Sequence, residues 1–176
     1  MAPTGDQVGR DGRNGRLRGD RVLLVPLTDA MAGRILSGER APDWSAGFPT
    51  DGDVRISRVL REHGHDPGHP FGPYTVTEVS SGLLIGGAGF FGPPGPDGEV
   101  EIGYGLAGEW RGRGLATEAA VLLVDLAFAD PAVRVVVAHT APGNAASQRV
   151  LARVGFGPAP RTDGGDDLRF EIRRPA

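Results

Sequence analysis

Apolar residues recur along this chain with two different spacings, and the switch between them marks out its elements. From Asp20 the run "DRVLLVPL" is short and nearly continuous, which reads as a first strand ending at Leu27. "TDAMAGRILSG" follows, with Thr28 placed to cap a helix and Gly38 to stop it. "DVRISRVLREHG" then sets Val54, Ile56, Val59 and Leu60 roughly on one helical face, and Gly64 ends it. "PYTVTEVS" and "GLLIGGAGF" alternate apolar and polar positions around Ser81-Gly82, as a hairpin does, and "EVEIGYGL", Glu99 to Leu106, is a third strand of the same meander.

From Gly114 the period lengthens to that of a helix. Leu115, Ala119, Leu122, Leu123 and Leu126 share a face as far as about Ala129, and Pro131 prevents continuation. "VRVVVAHT", Val133 to Thr140, is a buried strand. "NAASQRVLARVG" is a helix capped by Asn144 and stopped by Gly155, and "DLRFEI" is a closing strand. The order β, α, α, β, β, β, α, β, α, β predicts a mixed α+β fold.

A chain of 176 residues, 39% apolar and 23% charged, fits one domain with a sizeable core. Residues 1–19, rich in Gly, Arg and Asp, show no apolar period and are expected to be a disordered tail before a single domain over residues 20–176. A net charge of -3 gives no overall footprint for nucleic acid or an anionic membrane surface, so any anion site must be local. The absence of cysteine excludes thiol nucleophiles and disulfides, and no apolar run approaches the length of a membrane span. A soluble, cytoplasmic protein is expected.

A local anion site does suggest itself. "EWRGRGLATEAA", Glu109 to Ala120, places two arginines and two glycines at the mouth of a helix. Backbone N–H groups at Gly112, Gly114, Leu115, Ala116 and Thr117 would be left without helical partners, and with the helix dipole they favour phosphate. Arg111 and Arg113 add charge and forked donors. The spacing is neither that of a Walker A loop nor that of a Rossmann fingerprint, which disfavours a nucleoside triphosphate or a dinucleotide.

Taken together, "EIGYGLAGEWRGRGLATEA" and "PGNAASQRVLARVGF" resemble the GNAT superfamily of acetyl-CoA-dependent N-acetyltransferases. Arg111, Gly114 and Ala116 match its pyrophosphate signature, Gln/Arg-x-x-Gly-x-Gly/Ala. "IGG", "EIGY" and "N-x-x-S…GF" make the chain look most like the branch of ribosomal-protein alanine N-acetyltransferases, over roughly Asp20 to Ile172.

The resemblance implies a mostly antiparallel central sheet, flanked by helices, that splays between the Glu99 to Leu106 and Val133 to Thr140 strands. Acetyl-CoA would lie in the gap, its pantetheine arm held by backbone groups of Tyr104 and Leu106 and its pyrophosphate by Arg111 through Thr117. Asn144 and Ser147 would face the pantetheine and thiol end. The acceptor would be a small-molecule amine or a protein N-terminus, and homodimers are frequent in the superfamily. The pyrophosphate loop does not distinguish acetyl-CoA from a longer acyl-CoA such as succinyl-CoA, nor an enzyme from a catalytically silent CoA-binding module.

Direct transfer to an amine needs a base, a polarised carbonyl and an acid for the leaving thiolate. Glu101, on the strand lining the site, is the first candidate base, and His139 is a second one beside the acceptor. Many members carry a tyrosine acid just after the Asn-led helix turn, but here Val150 and Leu151 stand there and Ser147 is the nearest replacement. Trp44 and Phe48, in a turn-rich segment, either stack on the acceptor or anchor the loop. His63, His65 and His69 lie in a Gly/Pro-rich stretch without fixed spacing, which reads as a loop near the acceptor rather than a metal site, and the chemistry requires no metal.

Overall fold

The computed structural model describes residues 9–11, 15–64, 69–161 and 165–175. In chain order these form β1 (Gly9–Asp11), β2 (Arg16–Arg18), β3 (Val22–Pro26), α1 (Asp29–Leu36), α2 (Asp51–His63), β4 (Pro73–Glu78), β5 (Leu84–Phe90), β6 (Glu99–Leu106), α3 (Leu115–Ala129), β7 (Val135–Thr140), α4 (Ala145–Val154), β8 (Gly157–Ala159) and β9 (Leu168–Arg173). The strands lie in the order β1-β2-β3-β4-β5-β6-β7-β9-β8, antiparallel at every junction except β6–β7. This is the expected mixed, mostly antiparallel α+β sheet.

The caps fall where the sequence places them. Thr28 accepts the Met31 N–H at the start of α1, and Asn144 accepts the Ser147 N–H at the start of α4. Thr50 and Asp53 form a reciprocal capping box on α2, which therefore begins three residues before the apolar period does.

The strand pairing assigns side chains to two faces. Gly86, Ala88 and Phe90 of β5 stand opposite Leu106, Tyr104 and Ile102 of β6. That face packs on Leu115, Ala119, Leu123 and Leu151 of α3 and α4 as the main core. On the other face Gly87 and Gly89 stand opposite Gly105 and Gly103, with Glu101 next along β6. α1 and α2 cover part of that second face over a smaller core built on Leu27, Ile35, Trp44, Phe48 and Leu60.

Within the stretch expected to be a tail, Gly9–Asp11 and Arg16–Arg18 form strands. Residues 1–8 and 12–14 lie outside the described residues, but Arg16–Arg18 pairs with β3 and Leu17 is 1% exposed within the main core. One leucine between two arginines is too short a run to show a period, yet an alternating strand needs no more than one inward residue to join a core.

Candidate active site

β6 and β7 pair in parallel only over Glu99↔Val135, Val100↔Val136 and Glu101↔Val137, and then separate. The Phe91 N–H donates to the Glu101 carbonyl at 3.1 Å and the Ala107 N–H to the Ile85 carbonyl at 2.8 Å. Odd-numbered residues of β6 therefore turn their backbone groups toward β5. Beyond the last pairing, Tyr104 and Leu106 turn theirs into the gap. The Leu106 carbonyl accepts from Arg111 Nε at 2.8 Å, which ties the loop after β6 to the strand edge.

On the α3/α4 face a cavity of about 260 Å³ opens at this gap, lined by Tyr104 to Leu106, the loop before α3 and α4. Gly114 is the N-cap of α3 in the left-handed region, φ 78°, which glycine adopts without strain, and an added Cβ there would come within 3.2 Å of Arg21 Nη2. The first-turn donors of α3 have no side-chain cap, and the hydroxyl of Thr117 is buried without a partner among the described residues.

Arg21 holds the loop from behind. Its Nη1 donates to the Arg113 carbonyl at 2.8 Å and its Nη2 to the Gly114 carbonyl at 3.4 Å. In a trans peptide the next residue's N–H points the opposite way, so Gly114 and Leu115 aim their N–H groups away from Arg21 and toward the cavity. Glu109 accepts the Gly47 N–H at 2.8 Å and joins the same loop to the segment between α1 and α2.

The loop residues Arg111, Gly112, Gly114, Leu115, Ala116 and Thr117 line this cavity, as do Asn144 and Ser147. Arg113 does not line the cavity, and its guanidinium stacks 4.8 Å from the centre of the Trp110 ring. Arg149 and Arg153 of α4 do line it and were not picked out from the sequence. Their i, i+4 spacing, one turn beyond Asn144, was the available signal.

A second cavity of about 530 Å³ lies on the α2 face and shares Tyr104, Gly105, Asn144 and Ser147 with the first. Glu101 and His139 stand together in it, with Glu101 Oε1 and His139 Nδ1 2.9 Å apart. His139 Nε2 is buried and has no partner among the described residues. With Nδ1–H donating to the carboxylate, Nε2 is left as a proton acceptor.

Between the two cavities the Tyr104 hydroxyl lies 3.0 Å from Ser147 Oγ. Burial pushes the Tyr104 phenol above its ordinary pKa, with the Ser147 bond opposing, so it keeps its proton. Tyr104 entered the sequence reading only through its backbone. Its side chain alternates onto the α3/α4 face with Ile102 and Leu106, a placement the strand period carries, but the partner on α4 is a tertiary contact.

Trp44 and Phe48 line neither cavity. They are 6% and 0% exposed and meet edge to face at 5.0 Å in the smaller core. Among the histidines, His65 lies outside the described residues. His63 Nδ1 sits 3.2 Å from the Val59 carbonyl and His69 Nδ1 accepts from the Phe71 N–H. Among the described residues no helix is long and apolar enough to cross a membrane.

Residues 21–157 match the family model for the acetyltransferase (GNAT) domain. The chain belongs to the GNAT acetyltransferase family. It is 30% identical over 142 residues to the uncharacterized N-acetyltransferase YjdG of Bacillus subtilis, covering 77% of this chain and 83% of that protein. The crystal structure of the acetyltransferase from Agrobacterium tumefaciens superposes with a TM-score of 0.62 at 29% identity, over 90% of this chain and 94% of that one. Mycobacterium smegmatis RimJ, solved in complex with CoA-disulfide, shares the fold with a TM-score of 0.59 at 23% identity, over 91% of this chain and 83% of that one. The resemblance to the ribosomal-protein acetyltransferase branch thus holds at the level of fold.

Proposed function

We propose that this acetyltransferase moves the acetyl group of acetyl-CoA to a primary amine by direct attack, with both substrates bound at once. The observation that carries this reading is the opening of the sheet just past Glu101. It joins an anion cradle on one face to a cavity holding a carboxylate–imidazole pair on the other.

The residues of the first cavity fit coenzyme A. The unpaired N–H groups of the α3 first turn, the orphaned Thr117 hydroxyl and Arg111 suit a pyrophosphate, and Arg149 and Arg153 add cations along the same wall. The backbone edge of β6 at Tyr104 and Leu106, which β7 does not pair, suits an amide-bearing arm, and RimJ, with the same fold, has been solved with a CoA derivative. Acetyl-CoA supplies the activated thioester.

The chain's own groups then divide the proton transfers. Glu101, paired with His139, takes the proton from the acceptor ammonium and leaves a neutral amine to attack. Backbone N–H groups on the open edge of β6 polarise the carbonyl. The Tyr104 hydroxyl, kept protonated by burial and held by Ser147, gives its proton to the departing sulfur. Asn144 both caps α4 and lines the junction of the cavities.

Acetyl-CoA and succinyl-CoA presented with a broad panel of amines test this reading. Acetylated amine is the expected product. Succinyl transfer in preference to acetyl would move the donor assignment, and a CoA-dependent rise in melting temperature with no turnover on any amine would leave a binding module.

A further inference from the structure

The α2-face cavity contains more negative charge than one proton transfer requires. Asp53, Glu101 and Asp167 line it against the single guanidinium of Arg55, among the described residues. Asp53 is the unusual member, since its residue is 5% exposed while Asp167 is on the surface.

The capping box uses only half of this carboxylate. Oδ2 accepts the Thr50 N–H at 2.8 Å and the Thr50 hydroxyl at 2.7 Å. Oδ1 accepts from no described residue and rests on β5 at Gly87, where an added Cβ would come within 2.5 Å of it. Glycine at 87 is what lets the carboxylate reach down onto the sheet. Burial pushes the Asp53 carboxyl above its ordinary pKa, with the two Thr50 bonds opposing, so an incoming cation would relieve a desolvated charge.

The two buried ends of the cavity are spaced along one strand pair. Gly87 stands opposite Gly105, and Glu101 lies four residues further along β6, about 13 Å at the usual strand rise. Between them the ring of Phe91 covers Gly103, with 66% of the residue exposed, while the space above Gly105 is open.

We propose that Asp53 is the acceptor-recognition residue of this cavity, and that the acceptor carries a second cationic group, joined by a hydrocarbon stretch to the amine that reacts at Glu101. The second cation sits on Asp53 Oδ1 and the hydrocarbon crosses the Phe91 ring. This rests on the acetyltransferase reading above and names the substrate class of the same site. A free α,ω-diamine and a peptide N-terminus followed by lysine both present that chemistry.

The test compares linear α,ω-diamines with monoamines of the same length, and lysine-bearing with lysine-free short peptides, by calorimetric titration in the presence of CoA and by turnover. The wild type should bind and acetylate the dications at least about tenfold better, and whichever series shows this identifies the source. Asp53→Asn keeps an oxygen for the Thr50 donors and should erase the preference. Gly87→Ala displaces the carboxylate without removing it and should do the same. Both variants should leave the CoA-induced melting shift unchanged.

Equal binding of monocations and dications by the wild type, or a preference retained in both variants, would overturn the proposal. So would dications that fail to bind the CoA-loaded protein. Loss of the CoA shift in the wild type would instead strike the acetyltransferase reading.

Discussion

Arg21 and Glu118 hold each other across 97 residues, Nε to Oε2 at 2.9 Å, while Glu118 Oε1 accepts the backbone N–H groups of Arg21 and Val22 at 2.7 and 3.2 Å. The pair fixes the start of β3 to the first turn of α3, and from there the Arg21 fork reaches the Arg113 and Gly114 carbonyls. Arg21→Lys keeps the charge but loses the fork. It should weaken acetyl-CoA about tenfold by calorimetry, since the Arg113 carbonyl then loses its partner while the Gly114 carbonyl keeps only its helical bond from the Glu118 N–H. S-acetylpantetheine, which lacks the pyrophosphate, should keep its KM as donor, and an equal loss on both donors would remove Arg21 from the loop.

Glu101→Gln leaves the shape of the His139 contact nearly intact while removing the charge that holds the imidazole. Turnover should fall by about 10²-fold or more, the usual contribution of a positioned base. The dissociation constant for acetyl-CoA should stay within a factor of about two, because its cradle lies on the other face of the sheet. Full turnover at every pH would exclude the pair from the chemistry.

Tyr104→Phe removes the one hydroxyl that touches Ser147 Oγ from the β6 side. Because burial raises the phenol pKa, the group is protonated throughout the neutral range, and the loss of kcat should be flat from mildly acid to mildly alkaline pH. Ser147→Ala, which keeps the tyrosine, should cost less. A larger loss in the serine variant would exchange the two roles.

Most of the fold and half of the site can be read along the chain. Thr28, Gly64, Asn144 and Gly155 bound helices through local hydrogen bonding and backbone conformation, which are written in a few adjacent residues. The cradle is equally local, since a helix mouth and its glycines are contiguous. Glu101 and His139 were each visible as candidates, but their contact joins two strands 38 residues apart. Arg21, the Tyr104 side chain and Asp53 were passed over for the same reason: each looks like an ordinary strand or cap residue until the sheet brings its partner within reach. The period-two glycines at 87, 89, 103 and 105 were a missed signal, because alternation in a strand gathers them on one face.

Phe48 supports the α2-face cavity without entering it. The side chain is fully buried against Trp44, and Phe48→Ala should cost about 3–5 kcal/mol in chemical denaturation, the usual toll for emptying a buried aromatic site. Acceptor KM measured on the folded fraction should not move. A KM change without a stability change would return Phe48 to the acceptor.

Glu78 gives the fold a dependence on acid. The Ser81 hydroxyl first, and then the Ser80 hydroxyl and the two serine N–H groups, hold this carboxyl down at about 2 from an ordinary 4.5. Between those values the unfolded chain binds the proton and the folded chain does not, so stability falls as pH falls through the window. Above about 4.5 the contribution is complete and constant. Glu78→Gln should therefore melt below the wild type at neutral pH, and the two melting curves should converge as the pH approaches 2. A gap that stayed constant down to that pH would assign the loss to packing at the β4–β5 turn, where Glu78 is buried, and not to its charge.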